Sequence, residues 1–349
     1  MVYFFLCFLS AVLLILSFLP TNFSWFSWIA FLPLFFSLKN KSKKQAFWLS
    51  YLWGIFFWAG LIYWLVKVTL LGYIFLILYL AIYSGVFGIL FNLVTDNWFL
   101  VSIPCIWVSL EYLRSQLFTG FGWALLGYTQ YKNLPLIQIA DVSGAYGISF
   151  LIVLVNGAIF SVVSSQYSAV SKMKKSFSSL ISLSLVLAYG YYKIYQASSI
   201  RHQVPLKLCL IQANIPPYQK WDEELKKVII EKYILLSRVA AKKNPHFIIW
   251  PETAFPGFWE EEKELREKVL NLVREINTAI LVGAPTLERN LSYNSAILIS
   301  EKGEENFRYR KIHLVPFGEY IPFPRIFGFL QKRFSIGDYS RGKEYTVYS

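Results

Sequence analysis

Up to about residue 200 the chain is apolar in long runs parted by short polar breaks. Beyond that point, short apolar runs alternate with charged stretches of helical period. Crossing a hydrocarbon core takes about 20 apolar residues in a helix. Seven stretches fit, namely 2–19, 23–38, 46–66, 70–91, 98–113, 145–166 and 178–197, the second and fifth being short. The first lacks the basic start and small-residue cleavage site of a signal peptide, so it reads as a retained anchor. After residue 206, KLCLIQANI reads as a strand. DEELKKVIIEKYILLSRVAAKK reads as a helix with Leu225, Val228, Ile229, Leu236 and Val239 at helical spacing. FIIW is a strand, 259–277 a charged helix, AILVGAPTLE a strand, and YNSAILIS with NFRYRK a hairpin across EKGEEN. The expected architecture is a transmembrane helical domain over 1–200 followed, over 201–349, by an α/β domain with helices packed on its sheet.

Composition supports the lipid reading. Of 349 residues 56% are hydrophobic and only 16% charged, against about 25% charged in soluble chains. Residues 1–200 hold 11 Lys/Arg and 3 Asp/Glu, and residues 201–349 hold 23 and 18, so +8 of the net +13 belongs to the membrane half. Basic loops orient membrane spans, and the remaining +5 is too little to argue for a nucleic-acid partner. KNKSKK and SKMKK fall on the same side when seven spans are counted, which puts the N-terminus in the cytoplasm and residues after 200 outside. The opposite orientation would export seven lysines. Lys67, Asp96 and Glu111 are the few ionisable residues near span ends, poor support for an ion pathway. Cys7, Cys105 and Cys209 show no metal-ligand spacing, so neither a metal nor a cofactor is expected. The 112–144 connection is rich in Trp, Phe, Leu and Gly yet carries Arg114, Gln116 and Asp141. Two readings of it stand: packing between spans, or a platform at the interface where lipid arrives.

Two stretches concentrate the candidate chemistry. WPETAFPG, residues 250–257, ends the FIIW strand with Glu252 between prolines that fix the backbone. In open α/β sheets ligands bind beyond the carboxyl ends of strands, which lifts Glu252 above an ordinary loop carboxylate. YRKIHLVPFGEYIPF, residues 309–323, sets Lys311, His313 and Glu319 among apolar neighbours. A partly buried ammonium needs a partner, and Glu252 is the natural one. His313 reads as structural.

IQANIP with KWD, then WPETAFPG, GAPT and YRKIHLVPFGEYIPF, in that order, resemble the carbon–nitrogen hydrolase (nitrilase) superfamily, whose sites use a Glu, a Lys and a Cys. Joined to seven spans and LFTGFGWALLGYTQ, they resemble its apolipoprotein N-acyltransferase branch. The resemblance implies a nitrilase-like αββα domain on the periplasmic side of a bacterial inner membrane. It implies Glu252 as general base, Lys311 as the cation steadying a tetrahedral oxyanion, and Glu319 as a second, assisting carboxylate. Trp221 matches a tryptophan that lines the site, and a hydrophobic cap on the following helix is the equal alternative. The implied partners are a phospholipid acyl donor and a diacylglyceryl-modified apolipoprotein acceptor, in a monomer without cofactor.

One element of the pattern is missing. The nucleophilic cysteine, which in the family follows the lysine after a further strand, is not in these residues: Cys7 and Cys105 lie in the membrane half and Cys209 in the first strand. The chain stops in GDYSRGKEYTVYS, shortly before the place where that cysteine is expected, so the 349 residues read as C-terminally truncated and, as given, inactive in acyl transfer. The stretch IPFPRIFGFLQKRF reads as a segment that docks at the membrane surface or acts as a lid, with an ordinary folded loop as the equal alternative. Two other functions compete: a membrane-tethered amidase or nitrilase on a small substrate, and a catalytically dead membrane-anchored binding paralogue.

Overall fold

A computed structural model of the chain describes residues 1–20, 22–95, 98–164, 169–199, 205–216, 219–328, 338–345 and 347. Asp96 and the 329–334 part of the candidate lid lie outside the described residues. The chain divides into two compact units, Met1–Arg201 and His202–Ser349.

The first unit is helical: α1 (Val2–Phe18), α2 (Phe31–Leu38), α3 (Lys43–Leu61), α4 (Leu70–Phe91), α5 (Phe99–Gln116), α6 (Leu134–Ile137), α7 (Ala140–Val163) and α8 (Ala169–Ser199). Among the described residues three helices are long and apolar enough to cross a membrane, Leu70–Phe91, Ala140–Val163 and Phe177–Ala197. The expected span over 23–38 is not one helix. A 3₁₀ turn, Ser24–Trp28, precedes α2, and α2 has only 8 residues. The break is tolerated because α7 satisfies it. Asn156 gives its amide N–H to Ser27 O at 2.9 Å and accepts the Phe31 N–H at 3.1 Å, so the break leaves neither of these main-chain groups stranded in an apolar interior. Small residues bring α3 and α4 together: a Cβ on Gly88 would lie 2.4 Å from Ala46 O, and one on Gly54 would meet Ser84. The start of α3 is held by a capping box between Ser42 and Gln45.

The two charged side chains of α5 fasten the connection that follows it. Arg114 donates to Phe121 O and Trp123 O, both at 2.7 Å, and lies over the Trp58 ring. Glu111 Oε1 accepts the Leu126 N–H at 2.8 Å. These bonds hold the 117–126 backbone through left-handed residues at Phe118, Gly120 and Ala124. Both side chains are buried, and what they do here is hold backbone.

The second unit is one mixed sheet in the order β1 (Leu208–Leu210), β2 (Phe247–Ile249), β3 (Ala279–Glu288), β4 (Leu291–Ile299), β5 (Glu305–Arg310). The first three strands are parallel and the last two antiparallel. Helices α9 (Lys226–Ala241) and α10 (Lys263–Ile276) share one apolar core with the sheet. From α9 come Ile229, Ile230, Tyr233 and Ile234, and from α10 Leu265, Val269, Leu272 and Val273. Of the stripe expected along α9, Val228 and Val239 are instead exposed. The buried face runs through 229, 230, 233, 234 and 237, which helical geometry sets together. Arg289 and Asn290, both at positive φ, close the β3–β4 hairpin in the manner of a two-residue primed turn.

Candidate functional site

The site is built where the ladder between β2 and β3 is interrupted. Trp250 continues it, donating to Leu281 O at 2.9 Å, while its indole N–H reaches Ser237 at 2.8 Å. Pro251 has no N–H to donate, so the chain leaves β3 there and returns only when Phe255 donates to Gly283 O at 3.0 Å. Gly283 allows the detour: a Cβ there would stand 2.1 Å from Pro251 O and 2.8 Å from Glu252 Cα. Thr253 is left-handed, φ 47°. The outcome is a short protruding turn that presents Glu252 at the carboxyl end of β2.

Two other segments converge on it. Lys311 follows β5 and extends the antiparallel ladder by one bond, its N–H donating to Asn294 O at 2.8 Å. Asn294, on β4, is buried opposite Pro285. Beyond Lys311 the chain folds into a tight turn in which Glu319 N–H donates to Val315 O at 2.9 Å and the Glu319 carboxylate accepts the Val315 N–H at 2.7 Å.

The ammonium of Lys311 stands between two carboxylates, 2.8 Å from Glu252 Oε1 and 2.9 Å from Glu319 Oε2. Asn294 closes the ring, its Nδ2 donating to Glu252 at 2.5 Å and to Glu319 at 2.6 Å. Both amide hydrogens are therefore used, and the amide can face the carboxylates only through its nitrogen. Lys220 approaches from the other side, donating to Glu252 O at 3.1 Å and to Thr253 Oγ1. A cleft of about 390 Å³ adjoins Glu252, lined also by Ile211, Gln212, Asn214, Lys220 and Tyr233.

These neighbours set the charge states. Burial pushes the Glu252 carboxyl up, but the Lys311 ammonium, the Asn294 amide and Lys220 together hold it below the usual carboxylate range. Burial pushes Lys311 down, and Glu252 and Glu319 more than reverse it, leaving Lys311 above the usual lysine range. Tyr339 is pushed up to about 12 by burial and by the Glu319 and Glu252 carboxylates. Its backbone N–H donates to Glu319 O at 2.9 Å, so the 338–340 segment also borders the site.

Of the residues expected from sequence, Glu252, Lys311 and Glu319 come together. Trp221 is 56% exposed and so is not a buried cap on α9; its neighbour Lys220 is the residue that reaches the Glu252 turn. His313 is exposed. Cys209 packs against the sheet core within β1. Asn294, Lys220 and Tyr339 were not legible as site residues. Among the described residues no group of three or more His, Cys, Asp or Glu is arranged to hold a metal ion.

Residues 10–158 match the apolipoprotein N-acyltransferase N-terminal domain, and residues 207–348 match the carbon-nitrogen hydrolase family. The apolipoprotein N-acyltransferase of Geobacter metallireducens is 38% identical over 358 residues, covering 96% of this chain and 68% of its own. That of Haemophilus ducreyi is 29% identical, covering 84% of this chain and 60% of its own. The chain thus spans about two thirds of the length of these relatives. Among solved structures, the NitN amidase from Neterenkonia sp. AN1 is similar at 15% identity and TM-score 0.30, covering 40% of this chain and 51% of its own.

Proposed function

The chain belongs to the apolipoprotein N-acyltransferase family, and from that premise we propose that it serves lipoprotein N-acylation by moving a fatty acyl chain from a phospholipid to the α-amine of a diacylglyceryl-cysteine. The observation that carries the reading is the Glu252–Lys311 pair, 2.8 Å apart at the carboxyl end of β2.

The proposed reaction has two halves. In the first, Glu252 accepts the proton of a cysteine thiol, and the thiolate attacks the ester carbonyl of the phospholipid. A C–S bond forms, the C–O bond breaks, and Glu252 passes the proton to the departing oxygen, so that the lysophospholipid leaves as an alcohol and the carboxylate is restored. In the second half, the acceptor reacts as the free amine: its nitrogen attacks the thioester carbonyl while Glu252 takes one of its protons, the C–N bond forms, the C–S bond breaks, and Glu252 returns that proton to the departing thiolate, regenerating the thiol. Each half passes through an oxyanion, and Lys311 is the fixed cation beside it. Glu319 and Asn294 hold Lys311 and Glu252 in register, since each touches both members of the pair or the group that does. Within the sheet unit Cys209 packs against the core from β1, and the attacking thiol is part of the proposal.

The membrane part of the reading is a multi-pass protein of the bacterial inner membrane with seven spans, a cytoplasmic N-terminus and a periplasmic sheet unit. Its support is the basic loops of the first 200 residues and the three helices long enough to cross. The test is to express the protein from its complete reading frame and supply a phospholipid with a labelled acyl chain and a diacylglyceryl-cysteine peptide. Label on the peptide amine with release of lysophospholipid is expected. Ammonia from small amides, without lysophospholipid, would indicate an amidase instead.

A further inference from the structure

The Glu252 turn is not held by its own strand, because the ladder to β3 is open between Trp250 and Phe255. Backbone groups of that turn therefore need other partners. Lys220 supplies one. Its Nζ lies 3.1 Å from Glu252 O and also meets Thr253 Oγ1, across 32 residues of sequence. Two of its three donors are thereby fixed on the left-handed turn.

Lys220 itself sits on a turn. Asp222 N–H donates to Gln219 O at 3.2 Å, making Lys220 and Trp221 the two central residues. The Asp222 side chain then accepts the Glu224 N–H at 3.0 Å and leads the chain towards α9. The Lys220 side chain is drawn inward to the cleft beside Glu252, while Trp221 stays exposed at the tip. Counting charges, Glu252 and Glu319 are balanced by Lys311 and Lys220, so removing Lys220 leaves the site with one uncompensated negative charge.

We propose that Lys220 is a positioning residue of this site: it holds the turn that presents Glu252 and couples to it the turn that carries Trp221. The inference rests on reading Glu252 as the base, and its test does not require acyl transfer. The Glu252 carboxylate is bonded by Lys311 and Asn294 and its backbone carbonyl by Lys220, Glu319 is bonded in turn to Lys311 and Asn294, and Tyr339 feels both carboxylates.

The test uses the whole chain in lipid nanodiscs. The Glu252 carboxylate is titrated by infrared difference spectroscopy with Glu252→Gln as the blank, and hydrogen exchange is read over residues 219–222. Lys220→Met is expected to move the Glu252 midpoint upward by about half a unit to one unit and to speed exchange in the Trp221 turn roughly tenfold. Lys220→Arg, which keeps the charge and the donors, is expected to restore both. Thr253→Val, which removes only the side-chain acceptor, is expected to speed exchange in 219–222, and it decides the matter if Lys220→Met fails to fold. Parent-like midpoint and exchange in Lys220→Met, or parent-like exchange in Thr253→Val, would overturn the proposal. A chain that moved no acyl group would still give these shifts, so this failure and that of the acyl-transfer reading are separable.

Discussion

Asn294 gives one amide hydrogen to each of two carboxylates that Lys311 also bridges, so its loss should be felt by every member of the ring. Asn294→Leu is expected to lower acyl transfer by about 10²-fold or more and to lower the thermal midpoint as well, since the buried amide satisfies two carboxylates. Steady-state kinetics beside a melt would check it. For pH, the signs are opposite for the two partners. Glu252 is depressed, so its contribution is present above the ordinary carboxylate pKa and is lost as pH falls through its lower folded value. Lys311 is raised, so its contribution is full below the ordinary lysine pKa and is lost as pH rises through its higher folded value. The pair is thus intact from about pH 5 to pH 10, and the acid limb of activity is expected below the usual carboxylate range. Lys311→Met should move that limb up in a pH–rate profile of whatever activity remains. Glu252, Lys311 and Glu319 were legible because each interrupts an apolar or proline-bounded stretch. Asn294 was not, because a single amide in YNSAILIS looks like an exposed position of an alternating strand. Lys220, in KWDEE, looks like part of a solvated charge run.

At the scale of elements, the site depends on where β3 lets β2 go. Gly283 is a strand residue with ordinary φ, and what it provides is room for the Pro251 carbonyl and the Glu252 backbone. Gly283→Ala pushes a methyl into main-chain atoms that cannot swing aside, and a loss of about 3 kcal/mol or more is expected in a denaturant melt. Ser237→Ala is a milder probe of the same region. It strips the buried Trp250 indole of its acceptor and should cost about 1–3 kcal/mol. The strand order and β3 itself could be read from β-branched runs between turn residues. The β3–β4 hairpin could not, because Arg289–Asn290 lacks the glycine that usually announces a primed turn. The phase of α9 is hidden for a related reason: aliphatic residues lie on both its faces, Val228, Leu235 and Val239 being exposed, and only packing against α10 and the sheet selects Ile229, Ile230, Tyr233 and Ile234. The broken 23–38 segment was hidden for a longer-range one, because the residue that satisfies the break, Asn156, lies more than a hundred positions away.

For the whole molecule, the change of composition near residue 200 was visible at once, and the division Met1–Arg201 and His202–Ser349 falls in the same region. Sidedness is open to direct test. In intact spheroplasts a membrane-impermeant thiol reagent is expected to label Glu301→Cys and to spare Lys44→Cys until the membrane is opened, with the reverse pattern contradicting the proposed orientation. The claim that Glu252 and Lys311 perform lipid-to-amine acyl transfer is tested most directly by one assay. It follows label from a phospholipid acyl chain to the amine of a diacylglyceryl-cysteine peptide, in the protein expressed from its complete reading frame and in its Glu252→Gln and Lys311→Met forms. The expected result is transfer with matching lysophospholipid release in the parent, and a fall of about 10³-fold or more in each variant with membrane insertion unchanged. Transfer at the parent rate in either variant would contradict it.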